Sequence, residues 1–135
     1  MDPTAVARKL KLNAAASPVV LGASPDDLAA LSQARGDLKT ATEARHDWIL
    51  LYVENREALE RAIAGVAAAL ASPGTLWIAY PKGSSKRQTD LTRDQGWDVL
   101  KNVDLMWLRL VSVDETWSAF SLRHYKPGEA RQAFR

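Results

Sequence analysis

The run Trp48-Ile49-Leu50-Leu51-Tyr52-Val53 is the longest uninterrupted apolar stretch in the chain, and it leaves few folds open. A strand without polar alternation has no face for water, so other elements must cover both of its sides. Its length suits a strand and is too short for a typical helix. Shorter runs of the same kind recur at Val19-Val20-Leu21 and from Thr75 to Tyr80, with helix signals between them. Strands alternating with helices predict an α/β domain with a mainly parallel sheet and right-handed crossovers.

The helix signals are local and explicit. Ser24-Pro25-Asp26-Asp27 carries an N-cap at Ser24, proline at the first helical position and an acid at the capping-box site, Asp27. Leu28 and Leu31 give that helix an inner face, and Arg35-Gly36 ends it. Asn55 caps a second helix whose stripe of Leu59, Ile63, Val66 and Leu70 has the period of a core-facing helix. Ser72-Pro73-Gly74 terminates it. Ala5 to Leu12 reads as a short helix with Val6, Leu10 and Leu12 turned inward, and Asp90 to Asn102 as a further helix. Gly96 inside the latter costs about 1 kcal/mol relative to alanine, which implies a close backbone approach there.

Asp37 to Thr42 is a weak strand near a sheet edge. Leu105–Val113 and Trp117–Tyr125 are strands joined through Asp114-Glu115-Thr116, a link short enough only for an antiparallel hairpin. Residues 1–125 therefore read as one Rossmann-like α/β domain, a three-layer sandwich whose mostly parallel sheet ends in an antiparallel hairpin. Residues 126–135 form a polar tail, either frayed or a docking arm. A doubly wound sheet with such an ending resembles the methyltransferase variant of the Rossmann fold, shortened by about one strand–helix unit. The resemblance implies the spatial order 37–42, 19–21, 48–53, 75–80, 117–125, 105–113, with 117–125 antiparallel.

Composition narrows the chemistry. The chain of 135 residues has no cysteine, which excludes disulfides, thiolate catalysis and cysteine-ligated zinc. Two histidines, His46 and His124, have no partners at sequence range, read as surface residues, and leave no metal site. A formal charge of +2 says little about partners, although a pI near 9.0 leaves room for an anion. The start has no uninterrupted apolar core like a signal peptide's, and no run approaches a membrane span. The expectation is a cytoplasmic protein without a membrane.

Open α/β sheets bind ligands outside the carboxyl ends of their strands. In this chain that rim gathers Gly22-Ala23-Ser24, Glu54-Asn55, Pro81-Lys82 with the loop after it, and the Asp114 turn. The first loop is the usual place for a nucleotide or S-adenosylmethionine, with Gly22, Ser24 and Glu54 as the cofactor-binding candidates. It lacks a G-x-G pattern, and Asp26 and Asp27 occupy the positive helix end that a ligand carboxylate or phosphate needs. A self-capped helix is the competing reading.

The loop from Lys82 to Arg93 sets Lys82, Lys86, Arg87 and Arg93 against Asp90, with Ser84 and Ser85 as hydroxyl donors. This set suits an anion, although a solvated polar loop has the same composition. No Walker pattern is present. Asp114 and Glu115 beside Trp117 can act as a base or an amine ligand; alternatively they brace the basic loop by pairing with Lys82 or Arg93. Trp48, Trp77 and Trp107 read as core. Trp97 and Trp117 flank the rim, either stacking on a ring or lidding the core.

Tyr80-Pro81-Lys82, Ser84-Ser85-Lys86, Thr89-Asp90-Leu91-Thr92-Arg93-Asp94 with Gly96-Trp97, and Val113 to Ala119 resemble a family of small uncharacterised bacterial proteins, a domain-of-unknown-function group. That resemblance covers Arg8 to Arg123 and implies a Rossmann-like, methyltransferase-like fold without an assigned activity. The leading expectation is a binding module without catalysis, holding a small anionic ligand or partner. Lys82, Ser84, Ser85, Lys86 and Arg93 contact the ligand; Asp90, Asp114 and Glu115 orient them, and Trp117 forms an apolar wall. The alternative is an S-adenosylmethionine-dependent methyltransferase, and the third reading is nucleic-acid binding.

Overall fold

The structure, a computed structural model, describes residues 1–85 and 89–132. Its element order is α1 (Pro3–Lys9), a 3₁₀ turn (Leu12–Ala14), β1 (Pro18–Leu21), α2 (Pro25–Ala34), β2 (His46–Tyr52) and α3 (Arg56–Ala69). Then follow β3 (Leu70–Pro81), a second 3₁₀ segment (Trp97–Asn102), β4 (Leu105–Ser112) and β5 (Trp117–His124). The five-stranded sheet has the order β1-β2-β3-β5-β4. β1, β2 and β3 are parallel, while β5 runs antiparallel to both β3 and β4.

This is the spatial order that the hairpin ending implies, with one reduction. In place of a strand over 37–42 there is a single parallel bridge between Val19 and Lys39. Val20 N donates to Lys39 O at 2.9 Å and Lys39 N to Pro18 O at 3.3 Å. Just before this bridge, the Arg35 guanidinium donates to Asp37 at 2.7 Å.

Alternation of side chains divides the core in two. Ile49, Leu51, Leu76 and Ile78 pack with Leu59, Ile63 and Val66 of α3 and with Trp97 and Leu100. Val20, Leu50, Tyr52 and Trp77 pack on the other face with Val6 and Leu10 of α1 and Leu31 of α2. The three layers follow directly from the unbroken apolar run of β2, buried on both sides. Trp48 and Trp77 both donate their indole N–H to Leu10 O, at 2.7 and 3.0 Å, so the carbonyl that ends α1 is anchored to the sheet.

Two helix starts form as their sequences dictate. Ser24 Oγ accepts from Asp27 N at 3.1 Å and Asn55 Oδ1 from Ala58 N at 2.8 Å. The helix read over 90–102 does not form as such. Only Trp97–Asn102 is helical, as 3₁₀, and Gly96 is its N-cap at φ +94° rather than an interior residue. A Cβ on Gly96 would stand 2.7 Å from the Asp90 carbonyl oxygen, which is the close approach that the glycine implies.

The histidines are corrected. His46 is 2 % exposed, with Nδ1 at 3.0 Å from both Ser17 Oγ and Ser17 O, and Nε2 accepting from Glu43 N. His124 is half-buried, with Nε2 2.9 Å from Leu70 O. The tail is a docked arm as far as Gln132. Glu129 takes two hydrogen bonds from Arg123 at 2.8 and 2.9 Å, and the Gln132 amide both accepts from Trp107 N and donates to Trp107 O. Among the described residues no helix is long and apolar enough to cross a membrane.

Candidate functional site

The parallel strands deliver their carboxyl ends to one rim. β1 is followed by Gly22, whose φ of +75° turns the chain toward α2. β2 ends in Tyr52, followed by Val53, which donates to Ala79 O at 2.9 Å, and exposed Glu54. β3 ends at Pro81, and Lys82 N donates to Thr116 O at 2.7 Å. The start of the basic loop and the Asp114 turn are therefore joined by backbone on the same rim.

Most of the predicted anion-holding groups on that rim have protein partners. Lys82 Nζ donates to Ser112 Oγ at 2.6 Å, and Arg93 pairs with its neighbour Asp94 at 3.4 Å. Ser85 Oγ donates back to Lys82 O at 2.7 Å, and Ser84 is exposed. Lys86 and Arg87 lie outside the described residues.

Among the described residues, Asp90 and Asp114 have partners other than the basic side chains they were expected to orient. Asp90 Oδ1 accepts from Arg56 N at 2.9 Å, so it serves the α3 N-terminus, where a negative charge meets the helix dipole. Thr89 Oγ1 reinforces this join by donating to Glu54 O at 2.6 Å. Asp114 Oδ1 accepts from Thr116 N at 2.8 Å and Trp117 N at 2.9 Å, and thus shapes its own turn. No ion pair joins Asp114 or Glu115 to Lys82 or Arg93 among the described residues; the brace is the Lys82–Thr116 backbone bond.

The two rim tryptophans have different fates. Trp97 is fully buried in a cluster with Tyr80, Trp107 and Phe120, and its indole N–H donates to Thr92 O at 2.6 Å. It is a core residue, with no face left for a ligand. Burial pushes the Tyr80 hydroxyl in this cluster up to about 12. Trp117 is buried on the opposite face of the sheet, edge-on to Tyr52 with ring centroids 5.0 Å apart.

Tyr52 itself is missed when the chain is read as sequence, because it lies in an apolar run. It is 6 % exposed, and its hydroxyl has no hydrogen-bond partner among the described residues. Burial raises its pKa, and the nearby Asp27 and Asp114 carboxylates raise it further, so the group stays a neutral phenol. A tyrosine as the last residue of a strand that points to the rim is the signal that could have found it.

No protein-family model matches the chain, and no curated protein sequence does. The resemblance to a small bacterial family therefore rests on its motifs alone. Solved structures do match. A TehB-like S-adenosylmethionine-dependent methyltransferase from Corynebacterium glutamicum aligns with TM-score 0.54 at 12 % identity, over 89 % of this chain and 87 % of that one. A protein assigned as a type 11 methyltransferase from Sulfolobus solfataricus aligns with TM-score 0.53 at 8 % identity, over 96 % and 83 %. A ribosomal-protein methylase from Lactobacillus delbrueckii subsp. bulgaricus gives 0.50 at 10 % identity, over 82 % of this chain and 59 % of that one.

These likenesses show the fold: a Rossmann-like α/β sandwich of methyltransferase-like topology, with a mostly parallel sheet closed by an antiparallel hairpin. At such identities they establish the fold alone. They also correct the leading expectation. Solved neighbours that are methyltransferases favour the alternative reading over a binding module without catalysis.

Proposed function

We propose that the chain binds S-adenosylmethionine at the carboxyl rim of its sheet and transfers the methyl group to an acceptor. The observation that carries this is the Gly22 turn. The chain leaves β1 through a residue without a side chain, in left-handed conformation, directly into α2 and beside the end of β2. Open α/β sheets hold ligands at this place.

The residues fit the cofactor by charge. Its sulfonium and ammonium groups are cationic, and this part of the rim carries Asp26, which has no salt bridge among the described residues, and exposed Glu54. Gly22 and Ser24 would line the turn, and Glu54 would accept hydrogen bonds from hydroxyl or amino groups. Ser24 already caps α2 and Asp27 sits in the first helical turn, so a ligand carboxylate is not received at the α2 terminus. When bound, the cofactor supplies a methyl carbon made electrophilic by the attached sulfonium.

The test is a thermal-shift titration of the whole chain with S-adenosylhomocysteine. Selective binding to the folded state raises Tm with ligand concentration, and Glu54→Gln should reduce the rise relative to the variant's own ligand-free Tm. No rise at millimolar ligand, or an equal rise with free phosphate, contradicts the proposal.

A further inference from the structure

We propose that the arm over residues 126–132 guards the open edge of the sheet: Gln132 stands on β4 where a neighbouring strand would, and keeps two copies of the chain from pairing there. This goes beyond the methyl-transfer reading and holds or fails without a cofactor.

β4 is the last strand of the sheet, and its outer side meets no strand among the described residues. The direction of its backbone groups follows from their partners. Val113 N donates inward to Trp117 O at 3.0 Å, so by the alternation of an antiparallel ladder Ser112 and Leu110 face outward. Ser112 O accordingly accepts from Lys9 Nζ at 3.1 Å. Beyond the register shift between Trp107 and Arg109, Trp107 faces outward too, with both its N–H and its carbonyl turned to Gln132. Leu108 and Leu110, 49 % and 38 % exposed, are two of the three exposed large apolar residues among the described ones. An outward backbone flanked by exposed leucines is a template for strand pairing.

Gln132 answers this template at Trp107. Its Oε1 accepts from Trp107 N at 2.7 Å and its Nε2 donates to Trp107 O at 3.1 Å. That double exchange is what a residue on a neighbouring antiparallel strand makes, here supplied by a side-chain amide that offers no new edge behind it. Separate contacts hold the arm in place. Glu129 takes two bonds from Arg123 and one from Lys126 N at 2.6 Å. Gln132 N donates to the Tyr125 hydroxyl at 2.8 Å, and Arg131 pairs with Asp104 at 3.1 Å while lying over the Tyr125 ring. With Gln132 on Trp107 and Lys9 on Ser112, only residues 108–111 stay open, shorter than the usual strand of about five or six residues. The occupant kept out is a second copy. Antiparallel pairing about Leu110 sets Leu110 against Leu110, Leu108 against Ser112 and Arg109 against Val111. The one cation of β4 then does not face its own copy, and the contact closes as a two-fold dimer.

The experiment is analytical ultracentrifugation of the full chain over a range of concentrations, with hydrogen exchange at the Trp107 amide. The wild type should sediment at one chain mass throughout. Glu129→Lys combined with Gln132→Ala sets like charge beside Arg123 and removes the amide from Trp107; its mass should rise toward two chains as concentration increases. Adding Leu110→Lys to that pair should return it to one chain mass, because a lysine on an edge opposes pairing. Gln132→Ala alone should speed exchange of the Trp107 amide about fivefold or more, as the loss of one hydrogen bond does. The proposal is overturned by a wild type that dimerises as readily as the double variant, by a folded double variant that stays at one chain mass, by association that survives Leu110→Lys, or by unchanged Trp107 exchange in Gln132→Ala.

Discussion

Gly22 lies against the backbone of Tyr52: a Cβ on Gly22 would stand 2.6 Å from the Tyr52 carbonyl oxygen. The turn that leaves β1 is thereby set against the end of β2, and the first loop and the central strand share one rim.

Gly22→Ala is expected to destabilise the protein by about 1–3 kcal/mol, because a side chain is forced into the left-handed region and the near neighbour is rigid backbone. Urea unfolding checks this. A midpoint unchanged from the wild type would mean that the turn can be rebuilt without the glycine.

Trp97→Ala should cost about 3–5 kcal/mol, since the ring is fully buried among Tyr80, Trp107 and Phe120. Chemical denaturation reads the loss. A small change would place Trp97 at the surface and restore it as a stacking candidate.

Asp90→Ala removes the acceptor for Arg56 N at the start of α3 and should cost about 0.5–2 kcal/mol, as the loss of a helix cap does. Hydrogen exchange at Arg56 should accelerate. Protection retained in the variant would assign Asp90 a role other than capping.

The tail should detach in acid. The Arg123 guanidinium, with help from Lys126 N–H, holds Glu129 at about 2 against its ordinary 4.5. A carboxylate depressed in the folded state contributes stability above its unfolded pKa and loses it as pH falls through the folded one. Protection of the 126–132 amides should therefore be constant above about pH 4.5 and fall toward pH 2. Glu129→Gln should abolish both the protection and its pH dependence. An unchanged arm in that variant would show that Gln132 and Arg131 hold it alone.

Much of the fold is legible because its signals are local or obligatory. The Ser24 and Asn55 caps need only neighbours three residues away, and the unbroken run of β2 admits only a strand covered on both sides. The short Asp114-Glu115-Thr116 link forces the hairpin, and parallel strands then place the Asp114 turn beside Lys82. What escapes sequence reading depends on partners far along the chain. His46 is buried because Ser17 and the Glu43 amide come to it. The helix over 90–102 is cut short because Gly96 adopts a positive φ and Asp90 is bound to α3 instead. Asp90 reads as a companion of Arg93 by proximity in sequence, yet its partner is 34 residues away. Tyr52 looks like one more apolar strand residue until the sheet shows that its hydroxyl lies in the field of Asp27 and Asp114.

The most direct measurement is an amide NMR titration of the ¹⁵N-labelled chain with S-adenosylhomocysteine. Saturable shifts confined to Gly22–Asp27 and Val53–Asn55 are the predicted result. Shifts that cluster instead around Arg123–Lys126 at the opposite edge, or no shifts at all, would contradict a cofactor site at the end of β1.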